Sequence, residues 1–287
     1  MKLGLMSAAL AALDLDSLAS WAADEGFQAL EIACWPQVTG DRRRYAGVTH
    51  IDVDMLDVAA VHKSVEGRGL AISSLAYYPN NLDPDPEARQ LGVGLVGTFI
   101  GRDQARSVTD NLVEVEKIWP DLVRFAARHN VTIVIENCPM IFSPDEWPGG
   151  SNLAYSPAIW RRLFEIVDAE NFGLNLDPSH LVWQFIDYER AVREFAPRIK
   201  HVHAKDMEID RDGLFEHGVM SAGVGWQIPR LPGLGEIRWN RFIAALYSVG
   251  YEGVISIEHE DRSFEGDVDL VKRGFLLARD VLRPYVL

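Results

Sequence analysis

Short apolar runs alternate with amphipathic segments along the 287-residue chain. The apolar runs have the length and the side chains of buried strands. We predict eight strands, at residues 2–7, 28–34, 70–77, 94–100, 131–135, 172–176, 199–203 and 253–257. Strands that alternate with helices pair in parallel, and eight of them in one chain predict a closed (β/α)8 barrel, the TIM-barrel fold.

The amphipathic segments between these strands predict the outer helices. They cover residues 16–25, 53–66, 157–168, 188–195, 239–249 and 269–282, together with a long helix that begins near Ser107. Ser107 and Asp110 form a capping-box-like start for that helix, and Pro120 is expected to kink it or split it. Residues 78–90 run almost directly into the fourth strand, so the helix between strands 3 and 4 is expected to be shortened or missing.

Composition limits the class of protein. No linker and no block of charge divides the chain, so we expect residues 1–287 to form a single domain. A net charge of −14 counts against nucleic acid as a partner, because a polyanion would be repelled. Cys34 and Cys138 are too few for a disulfide framework, suit a reducing compartment, and are expected to be small buried side chains.

The N-terminus allows two interpretations. The apolar run after Lys2 resembles a short signal peptide, but we favour the first strand of the barrel. No apolar run approaches the roughly 20 residues that span a membrane. We therefore predict a cytoplasmic protein without a membrane partner, and both a monomer and a homo-oligomer agree with the sequence.

Chemically active side chains stand at the ends of the last four predicted strands. They are Glu136, Asp177, His203 and Glu258. Pro178 biases Asp177 toward an extended conformation, which keeps its carboxylate on the last pleat of the strand. Active sites of parallel barrels lie at the C-terminal ends of the strands, so these side chains are expected to converge at one mouth.

The motifs around these residues carry a resemblance to a known family. They are Ile135-Glu-Asn, Leu176-Asp-Pro-Ser-His, His201-Val-His-Ala-Lys-Asp, Leu231-Pro-Gly-Leu-Gly-Glu-Ile and Ser256-Ile-Glu-His-Glu. In this order they resemble the xylose isomerase-like barrel superfamily, and within it the sugar phosphate isomerase/epimerase branch. The resemblance covers strands five to eight and is weaker across the N-terminal half.

This resemblance implies that Glu136, Asp177, His203 and Glu258 bind one divalent metal ion. Three carboxylates and one imidazole are a hard ligand set, which favours Mn²⁺ and leaves Mg²⁺, Co²⁺ or Zn²⁺ as alternatives. Four protein ligands leave about two octahedral positions for substrate oxygens. The expected partner is a small keto sugar or sugar phosphate.

The expected reaction is isomerisation or epimerisation. It begins with the loss of a proton next to a carbonyl and passes through a metal-stabilised cis-enediolate. Glu136 and Glu258 are the expected catalytic residues, because carboxylates on strands five and eight could flank the substrate as base and acid.

Other residues are candidates for substrate binding. They are His180, Glu31, Trp35, Lys205 and Arg230. His180 could instead be bonded to a neighbouring acid, and Lys205 could pair with Asp206 or another acid. Arg230 would meet an anionic group of the substrate. The long Gly-rich stretch at residues 208–236 is typical of a loop that closes over a site.

Two other enzyme functions are weighed against this one. A lyase or dehydratase of a keto-inositol or keto sugar would use the same metal site and the same first proton transfer. An AP endonuclease-like repair enzyme would need three zinc ions and histidines at the ends of strands two and three. The chain has Cys34-Trp and Tyr78-Pro there, and its negative charge also opposes that function. A barrel that binds sugar without catalysing a reaction is the remaining alternative to an enzyme.

Overall fold

Eight parallel strands close into a barrel in the computed structural model, which describes residues 1–35, 48–52, 57–78, 96–141, 143, 146 and 149–286. The strands are β1 (Lys2–Met6), β2 (Ala29–Ala33), β3 (Ala71–Ala76), β4 (Val96–Thr98), β5 (Ile133–Glu136), β6 (Phe172–Leu176), β7 (Ile199–Ala204), β8 (Asp206–Ile209), β9 (Gln227–Arg230) and β10 (Val254–Ile257). In the barrel, β1 to β7 follow in order and β10 joins β7 to β1, while β8 and β9 form a separate antiparallel pair. The predicted closed parallel barrel is confirmed.

Helices surround the described part of this barrel. They are α1 (Leu15–Asp24), α2 (Val58–Val65), α3 (Val108–Arg128), α4 (Pro157–Ile166), α5 (Ser179–Val182), α6 (Tyr188–Phe195), α7 (Arg211–His217), α8 (Trp239–Ser248) and α9 (Val268–Leu282). The Ser107 hydroxyl accepts a hydrogen bond from the Asp110 N–H, which confirms the expected cap of α3. Pro120 lies inside α3 without splitting it.

Helix α2 begins later than predicted. The Asp57 side chain accepts a hydrogen bond from the Ala60 N–H at 3.0 Å, and this cap places the first helical residue at Val58. Residues 53–56 of the prediction lie outside the described residues. So does the connection between β3 and β4 at residues 79–95, where the shortened helix was expected.

The register of the barrel sets the height of each polar side chain. Glu136 pairs with Asn175 between β5 and β6, and His203 pairs with Ser256 between β7 and β10. Glu31 on β2 pairs with Met6, and two more residues of the strand follow it. Glu31 therefore lies inside the barrel, below the level at which β2 ends.

The stretch predicted as a closing loop is folded. Strands β8 and β9 pair antiparallel and are joined through α7. The Asp206 carboxylate anchors the following turn, because Oδ2 accepts from the Gly233 N–H and the Trp239 indole, and Oδ1 accepts from the Ile237 N–H. We call residues 206–237 the strap. No helix within the described residues is long and apolar enough to cross a bilayer.

Candidate active site

The four residues that end barrel strands converge at one point of the mouth. Ligand atoms of Glu136, Asp177, His203 and Glu258 all lie within 4.8 Å of one another. Asp177 and His203 are fully buried, and Glu258 is the most accessible of the four. We call these residues the four-residue centre. Its position is the one that parallel strands impose, since their C-terminal ends meet at the same rim.

Neighbouring hydrogen bonds aim Asp177 into this centre. Its backbone N–H donates to the Asn137 side-chain oxygen, and the Asn137 amide donates back to the Asp177 carbonyl. Asp177 Oδ1 accepts from the Ser179 N–H at 2.8 Å. Oδ2 has no hydrogen-bond partner and is fully buried. One carboxylate oxygen is thus held by backbone, and the other faces the centre, where Lys205 Nζ lies 3.2 Å away.

His203 presents its other ring nitrogen to the same point. Its Nε2 lies 2.8 Å from Glu31 Oε2, whereas Nδ1 lies 3.1 Å from Glu258 Oε2 and 3.8 Å from Glu136 Oε1. A hydrogen bond from Nε2 to an ionised Glu31 leaves the lone pair on Nδ1 facing the carboxylates. Nδ1 makes no hydrogen bond. Buried Nδ1 and Asp177 Oδ2, together with two glutamates, therefore fit a hard divalent cation.

The electrostatic environment keeps the carboxylates charged. Burial alone would raise the pKa of Glu136, but the neighbouring His180 and His203 rings and the Lys205 charge hold it below its usual range. Burial also opposes ionisation of Glu258, and the charges of Lys205 and His203 lower its pKa in turn. Both glutamates are therefore ionised at neutral pH.

Lys205 points into the mouth, as the alternation along β7 predicts. Its Nζ lies 3.2 Å from Asp177 Oδ2, 2.9 Å from Glu258 Oε2 and 3.1 Å from Glu260 Oε2. Burial would lower the pKa of Lys205, but these acids, led by Glu258, raise it well above its usual value. The ammonium group therefore offsets part of the negative charge of the centre. It does not pair with Asp206, which is committed to the strap.

Glu31 lies behind His203, inside the barrel and below the four-residue centre. Its Oε1 accepts a hydrogen bond from the Tyr78 hydroxyl at 3.0 Å, and its Oε2 accepts from His203. Burial would raise the pKa of Glu31, but His203 and His201 lower it to about 2. In this structure the Glu31 side chain holds a residue of the centre, and its predicted contact with substrate stays a prediction.

A second group that could hold a metal contains Glu31, His201 and His203. His201 Nδ1 lies 3.0 Å from the Asn175 side-chain oxygen, and Nε2 lies 3.3 Å from the Ser73 hydroxyl. Burial lowers the pKa of His201 to about 4, so this imidazole is neutral. Both of its nitrogens have protein partners, and the group is better described as a hydrogen-bonded layer under the four-residue centre.

A cavity of about 800 Å³ opens above the centre. Its lining includes Met6, Trp35, Tyr78, Phe99, His180 and Trp183. Trp35 lies in the cavity wall as predicted, and its ring is 5.5 Å from that of Tyr78. Sequence reasoning did not single out Tyr78 or Phe99 as parts of this wall. Such a volume accommodates a sugar-sized ligand beside the four-residue centre.

His180 reaches the edge of the four-residue centre from the first turn of α5. Its Nε2 lies 3.2 Å from Asp177 Oδ2 and 3.5 Å from Glu136 Oε1. Cys138 lines the same cavity, although it was expected to be a small buried side chain. Burial raises the pKa of the Cys138 thiol.

Arg230 does not line the cavity among the described residues. Its Nε donates to Glu208 Oε2 at 2.6 Å, and Nη1 donates to Asp261 Oδ1 at 3.2 Å and to the Ser263 hydroxyl. Two carboxylates already neutralise this guanidinium. In this structure Arg230 fastens β9 to the segment after β10, and its predicted contact with an anionic substrate group stays a prediction.

An eight-stranded parallel barrel with an acidic, metal-competent mouth defines the class of this protein. Residues 19–281 match the family model described as the xylose isomerase-like TIM barrel. The chain belongs to that family.

Two curated relatives share parts of this sequence. The chain is 37% identical over 153 residues to the uncharacterized protein YfiH of Bacillus subtilis, a match that covers 50% of this chain and 45% of that protein. It is 33% identical over 101 residues to inosose dehydratase of Geobacillus thermodenitrificans, over 34% of each chain. The chain thus spans less than half the length of these relatives.

Solved structures share the fold over nearly the whole length. The probable 3-DHS dehydratase AsbF of Bacillus anthracis has a TM-score of 0.69 at 18% identity, over 99% of both chains. D-psicose 3-epimerase of Clostridium cellulolyticum has a TM-score of 0.67 at 17% identity, over 100% of this chain and 99% of that one. The IOLI protein with a bound zinc atom has a TM-score of 0.67 at 18% identity, over 99% of both.

Proposed function

We propose that this protein is a divalent-metal-dependent isomerase or epimerase of a keto sugar or sugar phosphate. The observation that carries the proposal is the convergence of Glu136, Asp177, His203 and Glu258 at the mouth of a parallel barrel. The zinc atom of one structural neighbour and the substrate class of the epimerase support it. A net charge of −14 further favours a small sugar over nucleic acid.

In this proposal Asp177 and His203 mainly hold the cation. A divalent cation in the four-residue centre would supply Lewis acidity, polarising a carbonyl and stabilising the charge that develops on oxygen. Mn²⁺ is the cation we favour for the three carboxylates and one imidazole. Glu31 would keep the His203 ring oriented through its hydrogen bond to Nε2.

Glu136 and Glu258 would move the protons. Glu136 ends β5 and Glu258 directly follows β10, and β6 and β7 separate these strands around the barrel, so the two carboxylates would approach a ligand from different sides. One ionised carboxylate would take the proton next to the carbonyl. The other would take a proton from solvent and deliver it to the carbon, and the first would return its own proton to solvent. His180 and Lys205 line the cavity and would orient substrate oxygens.

A dehydratase of a keto-inositol or keto sugar is the second candidate. The partial match to inosose dehydratase favours it. The reaction would begin with the same proton abstraction by Glu136 or Glu258, after which a hydroxyl group would leave from the neighbouring carbon. Lys205 Nζ, 2.9 Å from Glu258 Oε2, would be placed to donate a proton to such a leaving group.

Isotope exchange tests the proposal. Metal-stripped protein reloaded with Mn²⁺ is incubated in D₂O with a panel of keto sugars, their phosphates and keto-inositols, and products are examined by NMR. An isomer or epimer with deuterium at the carbon that lost its proton is expected. Loss of water from the substrate would instead establish the dehydratase. Retention of the substrate hydrogen would overturn the roles given to both glutamates, and no turnover across the panel would overturn the enzyme class.

A further inference from the structure

A third cluster of potential metal ligands lies in the cavity, next to the four-residue centre. Glu136, Cys138 and His180 bring a carboxylate oxygen, a thiol sulfur and an imidazole nitrogen within 4.8 Å of one another. Glu136 belongs to both clusters, but Cys138 and His180 do not belong to the centre. Cys138 is a free cysteine and half buried.

The fold explains why these three side chains meet. Glu136 is the last residue of β5, and Cys138 follows two positions later, so extended backbone places both on the same side. His180 lies in the single turn that follows β6, the strand beside β5. Adjacent parallel strands deliver their following residues to the same rim, and the sulfur therefore faces the imidazole.

His180 itself points to a ligand. The residue is only 7% exposed, and neither ring nitrogen makes a hydrogen bond within the described part of the chain. The nearest carboxylate oxygen, Asp177 Oδ2, lies 3.2 Å from Nε2 without a hydrogen-bond geometry. A buried imidazole without such a bond is costly unless something else binds it, and the open side of this imidazole faces the cavity.

The donor set selects a different cation from that of the centre. A thiolate, an imidazole and a carboxylate are each common zinc ligands, and three protein ligands leave the fourth tetrahedral position open. The thiol of Cys138 must lose its proton to bind, which zinc and cadmium promote and which Mn²⁺ and Mg²⁺ do far less. The four-residue centre therefore favours hard cations, whereas the cluster that contains Cys138 favours soft ones.

We propose that Glu136, Cys138 and His180 form a second cation site, selective for soft divalent ions such as Zn²⁺ and Cd²⁺. Because this site lies within the cavity and shares Glu136 with the centre, its occupation blocks the space beside the centre. A soft ion bound here excludes a small ligand from the mouth even when the centre holds a hard cation. The site is defined by metal binding, so its test does not depend on the sugar chemistry proposed above.

The thiolate ligand gives a direct readout. Protein saturated with Mg²⁺ is titrated with Cd²⁺, and thiolate-to-cadmium charge-transfer absorption is recorded in the ultraviolet, with bound cadmium counted by equilibrium dialysis. We expect a saturable absorption band that reports one cadmium–thiolate site. Absence of the band at saturating Cd²⁺ would overturn the proposal.

Matched variants assign the ligands. Cys138→Ser should abolish the band, whereas Cys34→Ser should keep it, because the Cys34 thiol is buried and donates to the Ala76 carbonyl. His180→Ala should weaken cadmium binding by at least about 100-fold, the upper end of the cost of losing even an outer partner of a metal ligand. A band that survives Cys138→Ser, or cadmium affinity unchanged in His180→Ala, would refute the site.

A measurement on the unaltered protein covers the case in which Cys138→Ser does not fold. Thiol alkylation is followed at Cys138 by mass spectrometry, with and without Zn²⁺, in protein saturated with Mg²⁺. We expect Zn²⁺ to slow alkylation of Cys138 by at least about tenfold, because a metal-bound sulfur is no longer a free thiolate. An unchanged alkylation rate would contradict zinc binding at this thiol.

Discussion

Buried carboxylates differ in position and in hydrogen bonding between the two halves of the barrel. In the half formed by β5, β6, β7 and β10, carboxylates stand at the strand ends and their oxygens converge at the four-residue centre. In the half formed by β1 to β4, Glu31 lies below the rim and both its oxygens are bonded to protein groups. We call the first the presenting half, because its acids face the centre, and the second the supporting half, because Glu31 holds His203 through a hydrogen bond. The same residue type serves two purposes, and its height along the strand decides which.

Removing charge from the presenting half should have the largest effect. Glu136→Gln and Glu258→Gln are each expected to lower kcat by about 10³-fold, because each removes a proton-transfer group, an effect typically of 10² to 10⁴. Steady-state kinetics with metal content measured in the same samples would check this. Glu252→Gln, at an exposed position just before β10, is the matched control.

A loss of less than about tenfold in both variants with metal retained would remove the glutamates from proton transfer. The centre would then be a binding site only, and the two halves would no longer differ in function.

A substitution in the supporting half should mainly lower the affinity for the metal ion. Glu31→Gln is expected to weaken Mn²⁺ binding by about 10- to 100-fold, because the neutral amide no longer stabilises the hydrogen bond that orients His203. At saturating Mn²⁺, kcat should fall much less than in Glu136→Gln. Titration of Mn²⁺ binding by EPR provides the measurement. Equal losses of kcat in Glu31→Gln and Glu136→Gln, at full metal occupancy, would mean that the two halves do not differ in function.

His180 lies at the edge of the presenting half, and its change should act mainly on substrate. His180→Ala is expected to raise KM by about tenfold while changing kcat less, since uniform binding is lost rather than a proton-transfer group. Kinetics over a range of substrate concentrations separates the two constants. A fall in kcat with unchanged KM would instead place His180 in the chemical step.

The smallest effect should come from losing the hydrogen bond between the Tyr78 hydroxyl and Glu31, in the supporting half. Tyr78→Phe removes the hydrogen bond to Glu31 Oε1, and one such bond contributes about 0.5–1.5 kcal/mol, or roughly a few-fold to tenfold in metal affinity. The same EPR titration measures it. An effect as large as that of Glu31→Gln would mean that Tyr78, rather than the glutamate charge, orients His203.

The sequence predicts the presenting half well and the supporting half poorly, for a physical reason. Glu136, Asp177 and Glu258 follow directly after apolar runs, and the end of a parallel strand fixes both the side and the height of the next residue. Glu31 stands within its strand. The period of two places it on the same side as Trp35, but periodicity carries no information on height. The contact with His203 depends on a register across strands that no local pattern contains.

Arg230 shows a second limit of sequence reasoning. Its partner Glu208 is 22 residues away and becomes a neighbour only through the antiparallel pairing of β8 and β9. Nothing in the local composition indicates that pairing, because the intervening residues read as a long Gly-rich loop. The sequence also did not indicate that Cys138 lines the cavity, because a free cysteine near a strand end is most often a small buried apolar side chain.

Three of the four residues from His203 to Asp206 have different structural roles. His203 belongs to the centre, Lys205 balances its charge, and Asp206 fastens the strap. Alternation along an extended backbone sorts these side chains to their separate neighbours. Inserting or deleting a single residue here would send the lysine toward the strap and the aspartate toward the acids, where it would add negative charge. The spacing of this stretch is therefore as much a part of the active site as the chemistry of its side chains.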